Sequence, residues 1–457
     1  MPEPSDNPFD LFSIDHFQDL IGKSQIYKYF NDYLEHINAK TCICENDYID
    51  RDYLIDYSKF YSRSFPDIPK TTKRYHFFSK KFTEDEFNVG LDQKTGDFIT
   101  ELKETYLGFI VQKPVKDIFN IHDIVGRTLL DTYPKYDGRD ERVFIKNEYR
   151  VSLFGIPLKI KTVPFQQQDH AVGACATIAC WTAHFPLQYR FDIPSLSPVE
   201  VTEKSVLFPS DARNFPSQGL TLNQMKYFFN SMGLDTEFIK TDISDLGAFS
   251  SKDDIIADVV KAYIPYGLPI IAGLYEIENR KPENYHAVVI SGYRHNNGKV
   301  KELYLHDDNI GPYHRVKPGK GNTFNQWIDY NPDDGDTKWS IHSLFVPIYP
   351  KIRLDFGKIY SVFLNKKRAF EKSQKAGIVN KKSRLELFLT DVKEYKEYLR
   401  EKDIADKKVI LTMHLPRFLW IIRAQYMEIP HYDLVYDGTA VYPNSNNCRV
   451  DYTGLEP

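Results

Sequence analysis

The sequence predicts an α+β fold in which a helical part is followed by an antiparallel sheet. Apolar residues with helical spacing come first, and short apolar runs typical of buried strands follow at short intervals. Segregated helices and strands are typical of α+β proteins, whereas alternation would indicate a parallel sheet. With 457 residues the chain is long enough for two or three domains. We predict an N-terminal accessory domain over 1–155, a central domain over 156–350 and a small C-terminal accessory domain over 351–457.

The N-terminal range is rich in Tyr, Phe and charged residues, and its patterns predict a β-containing domain. Apolar spacing predicts a helix within 13–37. Apolar runs predict strands at 105–111 and 125–130, and a further pair of strands at 142–145 and 151–155.

The central and C-terminal ranges supply the remaining predicted elements. Helical patterns in the central range cover 174–185, 223–232 and 253–263. Its strand patterns cover 268–274, 286–293 and 303–308. In the C-terminal range we predict strands at 409–413 and 418–422, and a strand with a turn over 433–441.

Bulk composition excludes several classes of function. The net charge of −4 gives no electrostatic case for nucleic-acid binding. No apolar run approaches the roughly 20 residues of a membrane span, and the polar N-terminus lacks a signal-peptide pattern. Five cysteines spread over the chain do not resemble a disulfide framework. We therefore expect a cytoplasmic protein, where reducing conditions preserve a thiol.

The strongest chemical signal is the order of Cys175, His286 and Asp307. Cys175 stands where a glycine and an alanine lead into an apolar helix, His286 begins a buried strand, and Asp307 ends another. These residue types can act as a nucleophile, a base and a group that orients the base. A helix N-terminus and a neighbouring imidazolium both favour the thiolate.

The two strands that carry the histidine and the aspartate are joined by a turn signal, Asn296-Asn297-Gly298. This signal predicts an adjacent antiparallel pair, which would place Asp307 beside His286. An acyl-transfer site also needs donors for an oxyanion, and we assign the backbone N–H of Cys175 and the side chain of Gln168. Gln166 and Gln167 stay open as alternatives for this donor.

These residues resemble the papain-like cysteine peptidase superfamily, and more narrowly the C39-like peptidases. The matching features are an upstream glutamine (Gln168), a cysteine that opens a helix of small residues (Cys175), a Gly-containing helix-loop over 217–233, and a strand ending near Gly-Leu-Pro at 267–269. A histidine that leads an apolar strand into Gly-Tyr and an aspartate after the next strand complete the match, which covers roughly 190 residues. Ala176-Thr177 stands where the family usually has Gly-Pro, and Asp307-Asp308 where it often has Asp-Pro. The resemblance implies a papain-like core and no metal or organic cofactor.

Other residues compete for each role. Cys180 precedes a tryptophan and is the second candidate for the nucleophile, and His306 is an alternative base. Asp308 and Asn309 are alternatives for the acid. Two groups of residues suggest metal binding but lack the required ligand spacing: His170, Cys175, Cys180 and His184, and the pair Cys42 and Cys44.

The sequence therefore predicts a cysteine peptidase that cleaves a peptide or amide bond through an acyl-enzyme. Its expected partners are a protein or peptide substrate and, as an open option, an activating protein. Transfer of the acyl group to an amine, as in a transglutaminase, is an alternative outcome of the same chemistry. A different class of function is an inactive papain-like fold that serves as a binding scaffold.

Overall fold

The computed structural model describes most of the chain. The described residues are 8–17, 24–64, 67–92, 96–117, 122–136, 138–169, 173–211, 219–241, 252–278, 281–318, 324–329, 339–443 and 448–453. Within them, helices combine with antiparallel sheets, so the predicted α+β class is confirmed. None of the described helices has both the length and the hydrophobicity that a bilayer crossing requires.

The N-terminal range forms an antiparallel sheet of five strands, which lie side by side in chain order. The strands are β1 (Phe9–Ser13), β2 (Thr41–Tyr48), β3 (Thr72–Phe78), β4 (Tyr106–Lys116) and β5 (Asp123–Leu130). The helices are α1 (Gln25–His36), α2 (Arg51–Lys59), α3 (Glu84–Leu91) and α4 (Asp97–Thr105). The strands predicted at 105–111 and 125–130 are confirmed as β4 and β5. The helix predicted within 13–37 is confirmed by α1.

Before the central helices, the chain forms β6 (Asp140–Phe144) and a separate hairpin of β7 (Asn147–Leu153) and β8 (Ile156–Thr162). The strands predicted at 142–145 and 151–155 are present as β6 and β7, but they do not pair with each other. β7 pairs with β8, whereas β6 pairs with a strand of the large sheet described next.

An eight-stranded antiparallel sheet forms the centre of the molecule. Besides β6, its strands are β9 (Asp235–Lys240), β10 (Ile270–Glu278), β11 (Lys281–Asn296), β12 (Lys299–Asp307), β13 (Gly311–Pro318), β14 (Phe324–Trp327) and β15 (Trp339–Ile348). Their order is β14-β13-β12-β11-β10-β15-β9, and β6 lies along β11 beyond the end of β10. Gly292 of β11 permits this contact, because a Cβ there would collide with the ring of Phe144.

Within the described residues, four helices accompany this sheet: α5 (Cys175–Phe191), α6 (Pro198–Ser205), α7 (Leu222–Ser231) and α8 (Lys252–Tyr263). The predicted helices at 174–185, 223–232 and 253–263 are confirmed. The α5 helix is buried on all sides from Ala176 to Leu187. Its sequence is apolar around the whole circumference, as expected for a helix inside a core.

The C-terminal range forms a four-stranded antiparallel sheet with three helices. The strands are β16 (Ser383–Asp391), β17 (Phe418–Tyr426), β18 (Ile429–Asp437) and β19 (Cys448–Asp451), in that order. The helices are α9 (Phe356–Lys375), α10 (Val392–Arg400) and α11 (Lys407–Thr412). The strand predicted at 409–413 is wrong, because this segment lies in α11. The strands predicted at 418–422 and 433–441 are present as β17 and β18.

Contacts cross both predicted domain boundaries. A continuous set of buried apolar side chains extends from Phe9 to Tyr436. The hydroxyl of Tyr29 in α1 donates a hydrogen bond to the carbonyl of Pro312 in β13 at 2.5 Å. The backbone N–H of Phe356 in α9 donates to Oε2 of Glu237 in β9 at 3.2 Å. The flanking ranges therefore pack directly against the central sheet.

Candidate active site

Cys175 is the first residue of α5, and its side chain is partly exposed. Ala174 occupies the cap position and has no side chain that could accept hydrogen bonds from the first turn. The cap residue therefore supplies no acceptor for the N–H groups of that turn, and the helix dipole favours negative charge there. The local sequence thus places the thiol at the positive end of the helix dipole.

His286 lies on β11, against which α5 packs. Its Nε2 lies 2.9 Å from Oδ1 of Asp307, and Cys175 lies close enough to the imidazole to help raise its pKa. Because Nε2 faces Asp307, Nδ1 is the ring nitrogen left for the thiol. The three residues predicted from the sequence as nucleophile, base and orienting acid are therefore neighbours.

The predicted hairpin explains how Asp307 reaches His286. β11 and β12 pair antiparallel, and Asn297 and Gly298 between them have positive φ angles of 46° and 74°. Two successive residues of this conformation form a type I′ turn, which matches the twist of the flanking strands. The turn fixes the register, so the end of β12 lies beside the histidine strand.

The His286–Asp307 pair is almost fully removed from water. The two side chains retain 8% and 3% of their exposure. Burial opposes the charge on His286, but the negative charge of Asp307, the hydrogen bond to Asp307 and the neighbouring Cys175 outweigh it. These interactions hold the pKa of His286 well above its ordinary value. Burial likewise opposes the charge on Asp307, yet His286 keeps the pKa of Asp307 below its ordinary value. The geometry favours an imidazolium beside a carboxylate.

Asp308 is a second carboxyl group at the same histidine. Its Oδ1 lies 3.5 Å from Nε2 of His286, and its side chain is 3% exposed. Its Oδ2 is buried without a hydrogen-bond partner in the described part of the chain. Burial raises the pKa of Asp308 to about 7, and the adjacent Asp307 adds to this shift. The nearer Asp307 is therefore the ionised partner of His286, and Asp308 holds a proton up to neutral pH.

Gln168 and Asn309 connect the cysteine segment with the acid segment. Nε2 of Gln168 donates to Oδ1 of Asn309 at 2.5 Å. The backbone N–H of Asn309 donates to Oδ1 of Asp307 at 3.0 Å, and its Nδ2 lies 3.4 Å from Nε2 of His286. The predicted oxyanion donor is thus anchored beside the histidine. The bridging role of Asn309 was not predicted from the sequence, which offered it only as an alternative acid.

The two alternative glutamines have different surroundings. Oε1 of Gln167 accepts a hydrogen bond from the N–H of Val125 at 2.9 Å, so this side chain holds β5. The amide of Gln166 is fully buried and has no hydrogen-bond partner among the described residues. Of the three, Gln168 is the glutamine with a described contact to the loop beside His286.

Cys180 and His306, the alternative nucleophile and the alternative base, are both buried in structural positions. Cys180 is fully buried, and burial raises the pKa of its thiol. His306 precedes Asp307 and therefore points to the opposite face of the sheet. Its Nε2 donates to the carbonyl of Val163 at 3.1 Å, and its Nδ1 accepts from Ser291 at 3.0 Å. Burial lowers the pKa of His306 to about 4, so it is a neutral structural residue.

The residues that suggested zinc are mostly internal. His184 donates from Nδ1 to the carbonyl of Trp181 at 2.5 Å and accepts at Nε2 from Gln188 and from the N–H of Leu196. Both of its nitrogens are therefore used inside the fold. Cys42 and Cys44 are buried on β2 as free thiols. His170 lies outside the described residues.

A different set of side chains has the donor types of a metal site. Donor atoms of His286, Asp307 and Asp308 lie within 4.8 Å of one another, and no other such group of three occurs in the described residues. These are residues of the candidate active site itself. A cation there would compete with the hydrogen bond between His286 and Asp307.

Trp339 is an aromatic neighbour of the site that sequence patterns did not identify. It lies at the start of β15, and its ring centroid is 5.8 Å from that of His286. Its indole forms part of the apolar surroundings of the imidazole. A tryptophan between two segments without any motif gave no signal of this contact.

Comparison with known proteins adds no assignment. No protein-family model matches the chain, and no curated protein matches it.

Proposed function

We propose that this protein is a cysteine peptidase, a thiol-dependent hydrolase that cleaves a peptide or amide bond through an acyl-enzyme. The proposal rests above all on one observation: His286 is hydrogen-bonded to Asp307 and has Cys175, at the start of α5, as a neighbour. This arrangement provides a nucleophile, an acid–base group and a carboxylate that holds the imidazole in one orientation.

In the proposed reaction Cys175 and His286 start as a thiolate and an imidazolium, the histidine holding the thiol proton, and the thiolate attacks the carbonyl carbon. Gln168 and the backbone N–H of Cys175 donate hydrogen bonds to the oxyanion. His286 then protonates the leaving amine as the C–N bond breaks, which leaves a thioester. In the second half, His286 takes a proton from water, the hydroxyl attacks the thioester, and the free acid and the thiol are released. No metal or organic cofactor takes part.

A papain-like core of the C39-like type would account for the arrangement. The helix that carries Cys175 packs against an antiparallel sheet that carries His286 and Asp307. We propose 156–350 as the catalytic unit, with 1–155 and 351–457 as accessory units that hold or gate a protein or peptide substrate.

The alternatives differ in what happens at the thiol. An acyltransferase of transglutaminase type would form the same thioester and pass it to an amine. An inactive scaffold would carry an unreactive thiol. The partial exposure of Cys175 and its contact with His286 favour a reactive thiol.

The first test is the rate of iodoacetamide labelling between pH 5 and 9, with the modified residue identified by mass spectrometry. At pH 6 an ordinary thiol is well under about 1% thiolate. We expect fast labelling of Cys175 at this pH and a loss of about tenfold or more in His286→Ala, because the imidazolium no longer stabilises the thiolate.

Cys448 supplies an internal control. It is also partly exposed, but burial raises the pKa of its thiol and it lies on β19. Its labelling should be slow at pH 6 and unchanged by His286→Ala. Equally slow labelling of Cys175 and Cys448, unaffected by the histidine, would refute the proposal and favour the scaffold. Hydrolysis and acyl transfer are then distinguished by supplying methylamine and measuring which product the acyl-enzyme yields.

A further inference from the structure

Asp169 is hydrogen-bonded to Gly173, which lies two residues before Cys175. Its N–H donates to the carbonyl of Gly173 at 3.0 Å, and its Oδ1 accepts from the N–H of Gly173 at 3.0 Å. Gly173 is followed by the cap residue and then by Cys175. The position of the first turn of α5 therefore depends on where Asp169 is held.

The second oxygen of Asp169 is held by the N-terminal range. The hydroxyl of Tyr61 donates to Oδ2 of Asp169 at 2.8 Å, across a sequence separation of 108 residues. Tyr61 is 4% exposed and Asp169 is 2% exposed. Hydrogen bonds to a charged acceptor in such a dry environment are strong and directional.

From this geometry we infer that Tyr61 is a positioning residue for Cys175: through Asp169 it holds the loop that presents the nucleophile. The inference rests on the proposed function, because it assumes that Cys175 reacts. It also gives the N-terminal range a specific part in the site.

The surroundings of Tyr61 make it a stable donor. Burial and the charge of Asp169 raise the pKa of Tyr61 well above its ordinary value, so the phenol stays protonated at neutral pH. Asp56 and Lys113 lie nearby as a fully buried pair, with 3.5 Å between Oδ2 and Nζ. Oδ1 of Asp56 accepts from the N–H of Val199 in α6 at 3.1 Å. The segment before Tyr61 is thereby fixed to the central domain independently of the Tyr61 hydroxyl.

Tyr61→Phe removes the hydroxyl alone, and Tyr53→Phe is its matched control. Tyr53 belongs to the same apolar cluster, but its hydroxyl donates to the carbonyl of Pro69 at 2.7 Å. Two readouts are needed: the labelling rate of Cys175 relative to Cys448 across pH, and hydrogen–deuterium exchange of the peptide that contains Gly173.

For Tyr61→Phe we expect Cys175 labelling to fall by about fivefold or more, since small displacements of a reacting group have large effects on rate. Exchange at Gly173 should accelerate, and Cys448 labelling should not change. Tyr53→Phe should leave all three at wild-type values. Equal effects of the two variants, or no effect of Tyr61→Phe, would overturn the inference.

Asp169→Asn and Asp169→Ala provide a second comparison. The amide retains an oxygen for the N–H of Gly173 and offers an N–H to the Tyr61 oxygen, so exchange should stay near that of the wild type. Alanine can do neither, and exchange should accelerate; if both variants behave alike, the inference fails. Slow labelling of Cys175 in the wild-type protein would reject the proposed function instead, and the exchange data would still decide whether Tyr61 holds the loop.

Discussion

Gln168 and Asn309 form a direct side-chain hydrogen bond, with Nε2 of Gln168 donating to Oδ1 of Asn309 at 2.5 Å. The same asparagine donates its backbone N–H to Asp307. The group proposed to stabilise an oxyanion is therefore oriented by a residue that also braces the acid of the candidate triad. One residue, Asn309, thus contacts both the proposed oxyanion donor, through its side chain, and the acid of the candidate triad, through its backbone.

This link predicts a selective loss of acyl transfer. Gln168→Ala should slow the release of p-nitrophenol from p-nitrophenyl acetate by about 10²-fold, the usual effect of removing an oxyanion donor. Asn309→Ala should slow it less, by about tenfold, because the glutamine remains but is no longer oriented. The measurement is the pre-steady-state burst of p-nitrophenol.

Alkylation is the matched control for both variants. Iodoacetamide reacts at a saturated carbon and forms no oxyanion, so its rate at Cys175 should stay near the wild-type value. Parallel losses in esterase burst and alkylation would mean that the variants disturb the thiol, and the assignment of Gln168 would be abandoned.

Replacing Asp307 should expose a pH-dependent contribution to stability. The pKa of His286 is higher in the folded protein than its value of about 6.5 in the unfolded chain. The resulting stabilisation is fully present below about pH 6.5 and is lost as the pH rises through the folded-state pKa. The lowered pKa of Asp307 gives stability that is present above about 3.9 and is lost as pH falls through its folded value. Asp307→Asn should therefore destabilise most between about pH 4 and 6.5, by roughly 3 kcal/mol. Urea unfolding at pH 5.5 and 9 tests this, and an equal cost at both would contradict it.

The site was largely predictable because its parts are local. The Asn-Asn-Gly turn indicates the β11–β12 hairpin, and the hairpin alone places Asp307 beside His286. The junction of Gly173 and Ala174 with an apolar run likewise indicates the start of α5. In each case a few consecutive residues determine the geometry.

Contacts between distant segments were not predictable in the same way. β6 pairs with β11 because Gly292 leaves room for Phe144, and nothing near residue 144 indicates that partner. The segment at 409–413 has the composition of a strand, but it is too short for its periodicity to distinguish strand from helix. Tyr61 and Trp339 reach the site from segments that carry no motif.

Asp308 should make the protein less stable as pH rises. The pKa of Asp308 is about 7 in the folded protein and about 3.9 in the unfolded chain. The folded protein therefore loses stability as pH rises from about 3.9 to about 7, because the unfolded chain releases this proton more readily. Asp308→Asn should therefore gain stability relative to the wild type between pH 4.5 and 8, by roughly 2–4 kcal/mol, since each pKa unit corresponds to about 1.4 kcal/mol. Thermal unfolding of both proteins at these two pH values measures the difference. A constant difference would show that Asp308 does not titrate in this range.

Zinc should inhibit the site, and chelation should not impair it. The donor atoms of His286, Asp307 and Asp308 lie within 4.8 Å of one another, and zinc binds such nitrogen and oxygen ligands. A zinc ion there would remove the hydrogen bond between Asp307 and His286 that supports the imidazolium beside the thiol. Zinc chloride should slow iodoacetamide labelling of Cys175 but not of Cys448, and EDTA should restore it. Magnesium should have little effect because it favours octahedral oxygen sites, and Asp308→Asn should weaken the inhibition by zinc. Slower labelling of the wild-type protein in EDTA alone would contradict the cofactor-free mechanism, because it would reveal a metal that the thiol requires.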